Sequence, residues 1–163
     1  MKTKLLLILM VVAFSASAQT TASTTPAPII QYGFSITLEK AKKIIAAAEA
    51  FAASKSYTVV IAIVDTGGNL VALEKIDNTQ IGSIEVAIGK AKTANNFKRS
   101  TKLLEDAIAG GGVGVRVLSL PATPIEGGEP IYSDGKIIGA IGVSGMTSAQ
   151  DEEVAKAGLA VNK

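Results

Sequence analysis

Cysteine, histidine and tryptophan are all absent from the 163 residues of this chain, which has only three tyrosines and four phenylalanines. Each absence removes a class of chemistry. Without cysteine there is no disulfide, no lipid-modified cysteine anchor and no thiolate metal site. Without histidine as well, neither a Ser-His-Asp nor a Cys-His catalytic arrangement can be assembled, and the usual zinc ligand sets are missing. Aromatic content of 4% against 48% hydrophobic residues implies an aliphatic core, and the length suits one compact domain. Charge is sparse and balanced, with 16 basic and 14 acidic residues. Loss of Lys2 and Lys4 with an amino-terminal targeting segment would leave fourteen of each sign. A neutral mature chain gives no general reason to bind nucleic acid or acidic membranes.

That targeting segment is read from three features. Lys2 and Lys4 form a basic start, residues 5–14 an apolar run, and Ala16-Ser17-Ala18 an A-x-A cleavage site. Residues 1–18 are therefore expected to be a signal peptide, with Gln19 the first mature residue and the protein exported to a periplasmic or extracellular space. The apolar run falls short of the ~20 residues needed to span a bilayer, so no stable membrane insertion is expected after its removal. Residues 19–33 follow as a flexible spacer, uncharged and rich in Thr, Ser, Ala and Pro. The folded domain is expected over residues 34–163.

Within the domain, Thr37 can cap a helix running to about Ser54, with Leu38, Ala41, Ile44, Ile45, Ala48, Phe51 and Ala52 on one broad face. Residues 58–65, TVVIAIVD, and residues 70–76 read as strands joined by the turn Thr66-Gly67-Gly68-Asn69. Apolar residues recur at helical spacing over residues 81–97. Ser100 can cap a second, short helix ending near Ala109, where three glycines stop it. Residues 113–120 then read as a strand. Asp134-Gly135 is a two-residue hairpin signal, since both central positions of a type I′ turn need positive φ. It joins a strand at residues 130–133 to an unbroken apolar one at residues 136–143, expected to be central in its sheet. Ser148 and Asp151 fit a capping box for a helix from about Ala149. The order of elements argues for an α+β fold with a largely antiparallel five-stranded sheet flanked by helices.

Two apparent motifs fail on their context. Gly142-Val143-Ser144-Gly145-Met146 has part of the spacing of a nucleophile elbow, but Met146 stands where glycine is needed and no general base exists. The glycines at 110–114 follow a helix rather than a strand, which excludes a dinucleotide fingerprint. The remaining polar candidates are Asp65 beside a Gly-Gly turn, Glu126 before another, and Asp151 and Glu152 in the first turn of the last helix, where dipole and capping also explain them. Lys90, Lys92, Lys98, Arg99 and Lys102 are either a solvated helix face or donors for a carboxylate-bearing ligand.

Three stretches together carry a family resemblance: Gly127-Gly128-Glu129-Pro130, the run Asp134-Gly135-Lys136-Ile137-Ile138-Gly139-Ala140-Ile141-Gly142-Val143-Ser144-Gly145, and Gln150-Asp151-Glu152 with Val154, Ala155 and Ala157. Upstream, Ile36 to Ala41, Val64 to Gly68 with Leu73 and Asp77, and Lys90 to Ala94 extend it. The chain resembles the GlcG/HbpS-type domain, also called the haem-degrading domain, and is similar to the carboxy-terminal domain of PduO proteins. The resemblance implies a profilin-like three-layer arrangement, a homo-oligomer, and haem or another tetrapyrrole as ligand. Small residues at Gly82, Gly89 and Ala91 would allow close packing between copies.

A ligand pocket is expected where the loop residues Glu126, Gly127, Gly128 and Pro130 meet the strand exit at Ser144 and Gly145 and the helix start at Asp151 and Glu152. Lys90 and Thr93 would complete it if the middle helix crosses the same end of the sheet, as the family's pattern implies. For a haem, the chain offers Tyr32, Tyr57, Tyr132, Met146, hydroxyls or carboxylates as axial ligands. Alternatively, the macrocycle would lie on an apolar surface with its propionates held by Lys or Arg. Three functions stay open: a non-catalytic small-molecule or haem-binding protein, an enzyme using Lys, Glu or Asp as acid and base, and an assembly or sensory module.

Overall fold

The computed structural model describes residues 29–162. The expected signal peptide, and the expected spacer as far as residue 28, lie outside these residues. The elements are α1 (Leu38–Ser54), β1 (Val60–Asp65), β2 (Leu70–Lys75), α2 (Ser83–Phe97), α3 (Thr101–Ala109), a 3-10 segment (Gly112–Ser119), β3 (Gly128–Ser133), β4 (Lys136–Ser144) and α4 (Ser148–Leu159). One antiparallel sheet of order β2-β1-β4-β3 forms the middle layer. Among the described residues no helix is long and apolar enough to cross a membrane.

Alternation along the two central strands decides what covers each face. Ile61, Ile63, Ile141 and Val143 point into the large aliphatic cluster that α1 and α4 close with Ile44, Ile45, Ala48, Val154 and Ala155. Val60, Ala62, Val64 and Ala140 face the other way, onto Ala87, Ala91 and Ala94 of α2. The small residues let α2 lie almost on the sheet backbone. A Cβ at Gly142 would come within 2.1 Å of the Ala87 carbonyl oxygen. The result is three layers, helices on both faces of one sheet.

Local signals read from the sequence hold at several points. Thr37 caps α1 by accepting the Lys40 N–H, and Ser100 caps α3 by accepting that of Lys102. Asp134 and Gly135 take φ values of 49° and 72°, as a type I′ hairpin requires. Pro130 sits in an edge strand, where its missing N–H interrupts no central ladder.

Four expectations fail. The sheet has four strands, because the stretch expected as a strand over residues 113–120 is taken up by the 3-10 segment Gly112–Ser119, which has no buried residue. Gly111 and Gly112 enter it at φ 68° and 56°, turning the backbone back onto α3, where Gly114 packs against the Ala107 carbonyl. The last helix is capped one residue earlier than Ser148, through a reciprocal box between Thr147 and Gln150. Gly89 and Ala91 pack within the chain, Gly89 under Thr123 and Ala91 in the core, so neither is free for a second copy. The expected spacer already meets the sheet before residue 33: Ile137 N–H donates to Gln31 O, Gly33 N–H donates to Ile137 O, and Tyr32 makes a parallel bridge. This strap, residues 30–37, leads straight into α1.

Candidate functional site

Lys90 is the largest fully buried side chain of the described residues, 1% exposed on the sheet-facing side of α2. A buried ammonium needs partners, and it finds two: Nζ donates to Asp151 Oδ2 at 2.7 Å and to the Val143 carbonyl at 2.9 Å. Asp151, 2% exposed, accepts the Met146 N–H on its other oxygen at 3.0 Å. Burial pushes its carboxyl up, while Lys90 and the backbone N–H groups of Met146 and Gly145 pull it back. This inward commitment explains the shifted helix cap, since Asp151 is no longer available to the helix start.

The Gly127-Gly128 loop is clamped beside this pair. Gly127, at φ 118°, donates to Glu152 Oε2 at 3.2 Å, and a Cβ there would lie 3.0 Å from Lys90 Nζ. Gly128 donates to Thr101 Oγ1 at 2.9 Å. The Glu126 N–H donates to Glu105 Oε2, whose second oxygen accepts the Ser148 hydroxyl at 3.3 Å. Glu152 Oε1 pairs with Lys156 at 2.8 Å. Glu129 lies against Glu152, and burial together with this neighbour raises its carboxyl to about 8. At neutral pH Glu129 therefore keeps its proton.

Of the ten residues expected to line a pocket, Lys90, Gly127, Asp151 and Glu152 meet directly, and Glu126 and Gly128 belong to the clamped loop. Gly145 lies beside the centre, its backbone N–H among the groups that lower the Asp151 carboxyl. Thr93 faces elsewhere, accepting the Thr123 N–H at 2.8 Å. Ser144 bonds to Ser83 at 3.3 Å, and Pro130 pairs with Ala140 in the sheet. What they form is a polar centre filled by its own side chains. Lys92 and Arg99 are exposed, Lys98 donates to Ile30 O and Lys102 pairs with Asp106 at 2.9 Å, so the cationic group around Lys90 is divided among four roles. Sequence reasoning missed Thr101, Glu105 and Glu129. The first two stand four residues apart on α3, a spacing that puts them on one face and was there to be read.

Open space lies on a different part of the molecule. A cleft of about 690 Å³ runs between the strap and the β3–β4 hairpin, floored by the buried Ile36 and Ile138 and flanked by Tyr32, Phe34, Lys40 and Lys136. Its volume falls in the ~300–1,000 Å³ range of small-molecule sites. Phe34 is 97% exposed at its edge, while Tyr32 is anchored through its hydroxyl to the Asn95 carbonyl at 2.7 Å and lies under the Lys98 ammonium.

The architecture, a one-sheet α+β domain whose glycine loop is clamped by acidic side chains from two helices, defines the class. The chain belongs to the HbpS-like family: the model described as "Haem degrading protein HbpS-like" matches residues 36–160. It is similar to GlcG of Escherichia coli K12, 40% identical over 106 residues that cover 65% of this chain and 78% of GlcG. Among solved structures it is similar to a double mutant of HbpS from Streptomyces reticuli, with TM-score 0.72 and 29% identity over 83% of this chain and 97% of that one. The PduOC:haem complex superposes with TM-score 0.70 and 27% identity, covering 77% of this chain and 94% of its counterpart.

The donors present decide how a haem could be held. Tyr57 accepts a hydrogen bond from Gln150, and Tyr32 spends its proton on Asn95. Tyr132 and Met146 are partly exposed but do not line the cleft. The cleft thus fits the apolar face and carboxylates of a tetrapyrrole and does not fit axial ligation of its metal.

Proposed function

We propose that this protein is an exported, non-catalytic binder of a flat carboxylate-bearing small molecule, haem or another tetrapyrrole, built on a profilin-like scaffold. The observation that carries this reading is the cleft itself, apolar on its floor and flanked by two lysines, in a chain whose relatives include a haem complex. The polar centre supports the reading from the other side. Lys90 pairs with Asp151 and Glu152 pairs with Lys156, so these charges are spent within the protein. The Gly127-Gly128 loop, with Glu126, Pro130 and Thr93 around it, then serves as the frame that holds β3 and the hairpin in place beneath a ligand. Homo-oligomerisation is part of the same proposal, through the apolar surface of Leu103, Val113 and Leu118 rather than the small residues of α2. Titration of the mature chain with haem tests the reading; the expected result is a saturable Soret change with no biliverdin produced.

One observation favours the alternative of an enzyme acting on haem or a small metabolite. Glu129 holds a proton up to about pH 8, as a general acid would, and Glu152 beside it would be the matching base. Product formation lost in Glu129→Gln would establish that alternative.

A further inference from the structure

The strap and the hairpin meet to form a cleft whose oxygen donors are already spent. The Ser35 hydroxyl shares a hydrogen bond with Thr66 at 2.6 Å, Thr37 Oγ1 accepts the Lys40 N–H at 3.2 Å, and the Tyr32 hydroxyl donates to Asn95 O at 2.7 Å. Burial also pushes the Tyr32 phenol up, so the phenolate that would bind iron is disfavoured. Asp134 remains, a carboxylate at the exposed hairpin tip, and it lies outside the His, Cys, Met and Tyr side chains that ordinarily ligate haem iron. Lys40 and Lys136 outnumber it and give the cleft an excess of positive charge. The Ser133 hydroxyl, also in the lining, donates to Asp134 Oδ2 at 3.4 Å, and between these ends lie Ile36, Ile138, the Phe34 ring and backbone.

We infer that the cleft holds a tetrapyrrole by its apolar face and its carboxylates alone, with no side chain bonded to the central metal, so that the metal-free macrocycle is as good a ligand as the metallated one. This rests on the tetrapyrrole reading above and adds to it the mode of binding. The carboxylates pair with Lys40 and Lys136, whose Nζ groups carry the ionic part of the affinity. The ring lies over Ile36 and Ile138, with Phe34 free to stack on its edge because nothing in the described chain covers that side chain.

The experiment compares protoporphyrin IX, zinc protoporphyrin and ferric haem on the full mature chain, by porphyrin fluorescence and Soret absorbance. The chain has no tryptophan to interfere. The expected result is three dissociation constants within about threefold of one another, all weakened about tenfold or more in Lys40→Glu/Lys136→Glu. Ferric haem should show no ligand-field change in Tyr32→Phe. Ferric haem bound about tenfold or more tightly than the metal-free ring would overturn the inference while leaving the tetrapyrrole reading intact. Equal binding that ignores the lysine reversal would remove the cleft as its site. Failure of all three porphyrins to bind would sink the reading itself. Circular dichroism of the variants guards each arm, since both lysines lie at the surface of the cleft.

Discussion

The Lys90 centre and the strap cleft both combine lysine with glycine-containing backbone, yet they spend charge in opposite ways. In the centre a lysine is 1% exposed and every oxygen near it is assigned to a donor of the chain. In the cleft two lysines stand without a salt-bridge partner among the described residues, beside an aromatic ring in water. Burial decides the difference. An ion pair taken out of water contributes to specificity only while both members are present, whereas a surface lysine is left free to meet something from outside. The sharpest break of this comparison is Lys90→Met, which strands the Asp151 carboxylate in the core. Loss of one buried partner should cost about 3–5 kcal/mol in urea unfolding, and the double variant Lys90→Met/Asp151→Leu should recover much of it. A small loss in the single variant would mean that the centre is wetter than the burial implies.

The second break acts on the loop. Gly128 has the appearance of a surface loop residue, suited to a change that would block a ligand and spare the fold. Its surroundings say otherwise: a Cβ there would lie 2.5 Å from the Lys90 carbonyl oxygen and 2.7 Å from the Thr101 methyl. Gly128→Val should therefore lower stability by at least about 1–3 kcal/mol through overpacking. A shift of the thermal midpoint in that variant, with none in Lys136→Glu, would separate the two regions cleanly.

These contrasts also explain what could be read in advance. Caps and the Asp134-Gly135 hairpin are local, set by residues within a turn of each other, and Thr37, Ser100 and Asp134 behave as their chemistry demands. The choice between the Thr147–Gln150 and Ser148–Asp151 boxes was not local. Lys90 claims Asp151 and Glu105 claims Ser148, and both come from distant helices. Residues 113–120 carry β-branched alternation, but a strand needs an edge to pair with, and their glycines turn them back onto α3 instead. Lys90 among four other cations gave no sign of its burial beyond its small neighbours Gly89 and Ala91. The cleft was the least legible feature, because Tyr32, Phe34, Lys40 and Lys136 come from two segments about a hundred residues apart and share no motif.

A subtler test uses the proton on Glu129. Its carboxyl is raised from an ordinary 4.5 to about 8 by burial and by Glu152, so the folded state binds more protons than the unfolded one between those values. The stabilising contribution of this site is fully present below about pH 4.5 and is lost as pH rises through about 8. Asp151, also pushed up by burial, adds in the same sense, whereas Asp65, held down by the Asn69 N–H, works in the opposite one. The wild-type chain minus Glu129→Gln isolates the term: the difference in unfolding midpoint should grow in favour of the variant from pH 5 to pH 9. A constant difference across that range would show that Glu129 ionises normally.

The smallest expected effect is the one that most sharpens the contrast, Phe34→Ser at the edge of the cleft. A phenylalanine 97% exposed buries almost no area in the chain, so its removal forfeits almost no hydrophobic stabilisation. Substitutions away from core, cap and ion pair stay within about ±0.5 kcal/mol, and Phe34→Ser should do the same in urea unfolding. Its cost should instead fall on porphyrin affinity, since the ring is then a platform held for a partner rather than a packing element. A stability loss well above that range would show that Phe34 packs against the chain, and the cleft would then be closed in solution as the Lys90 centre is. Unchanged stability with weakened binding is the pattern that distinguishes a surface kept open for a ligand from one the protein has filled with itself.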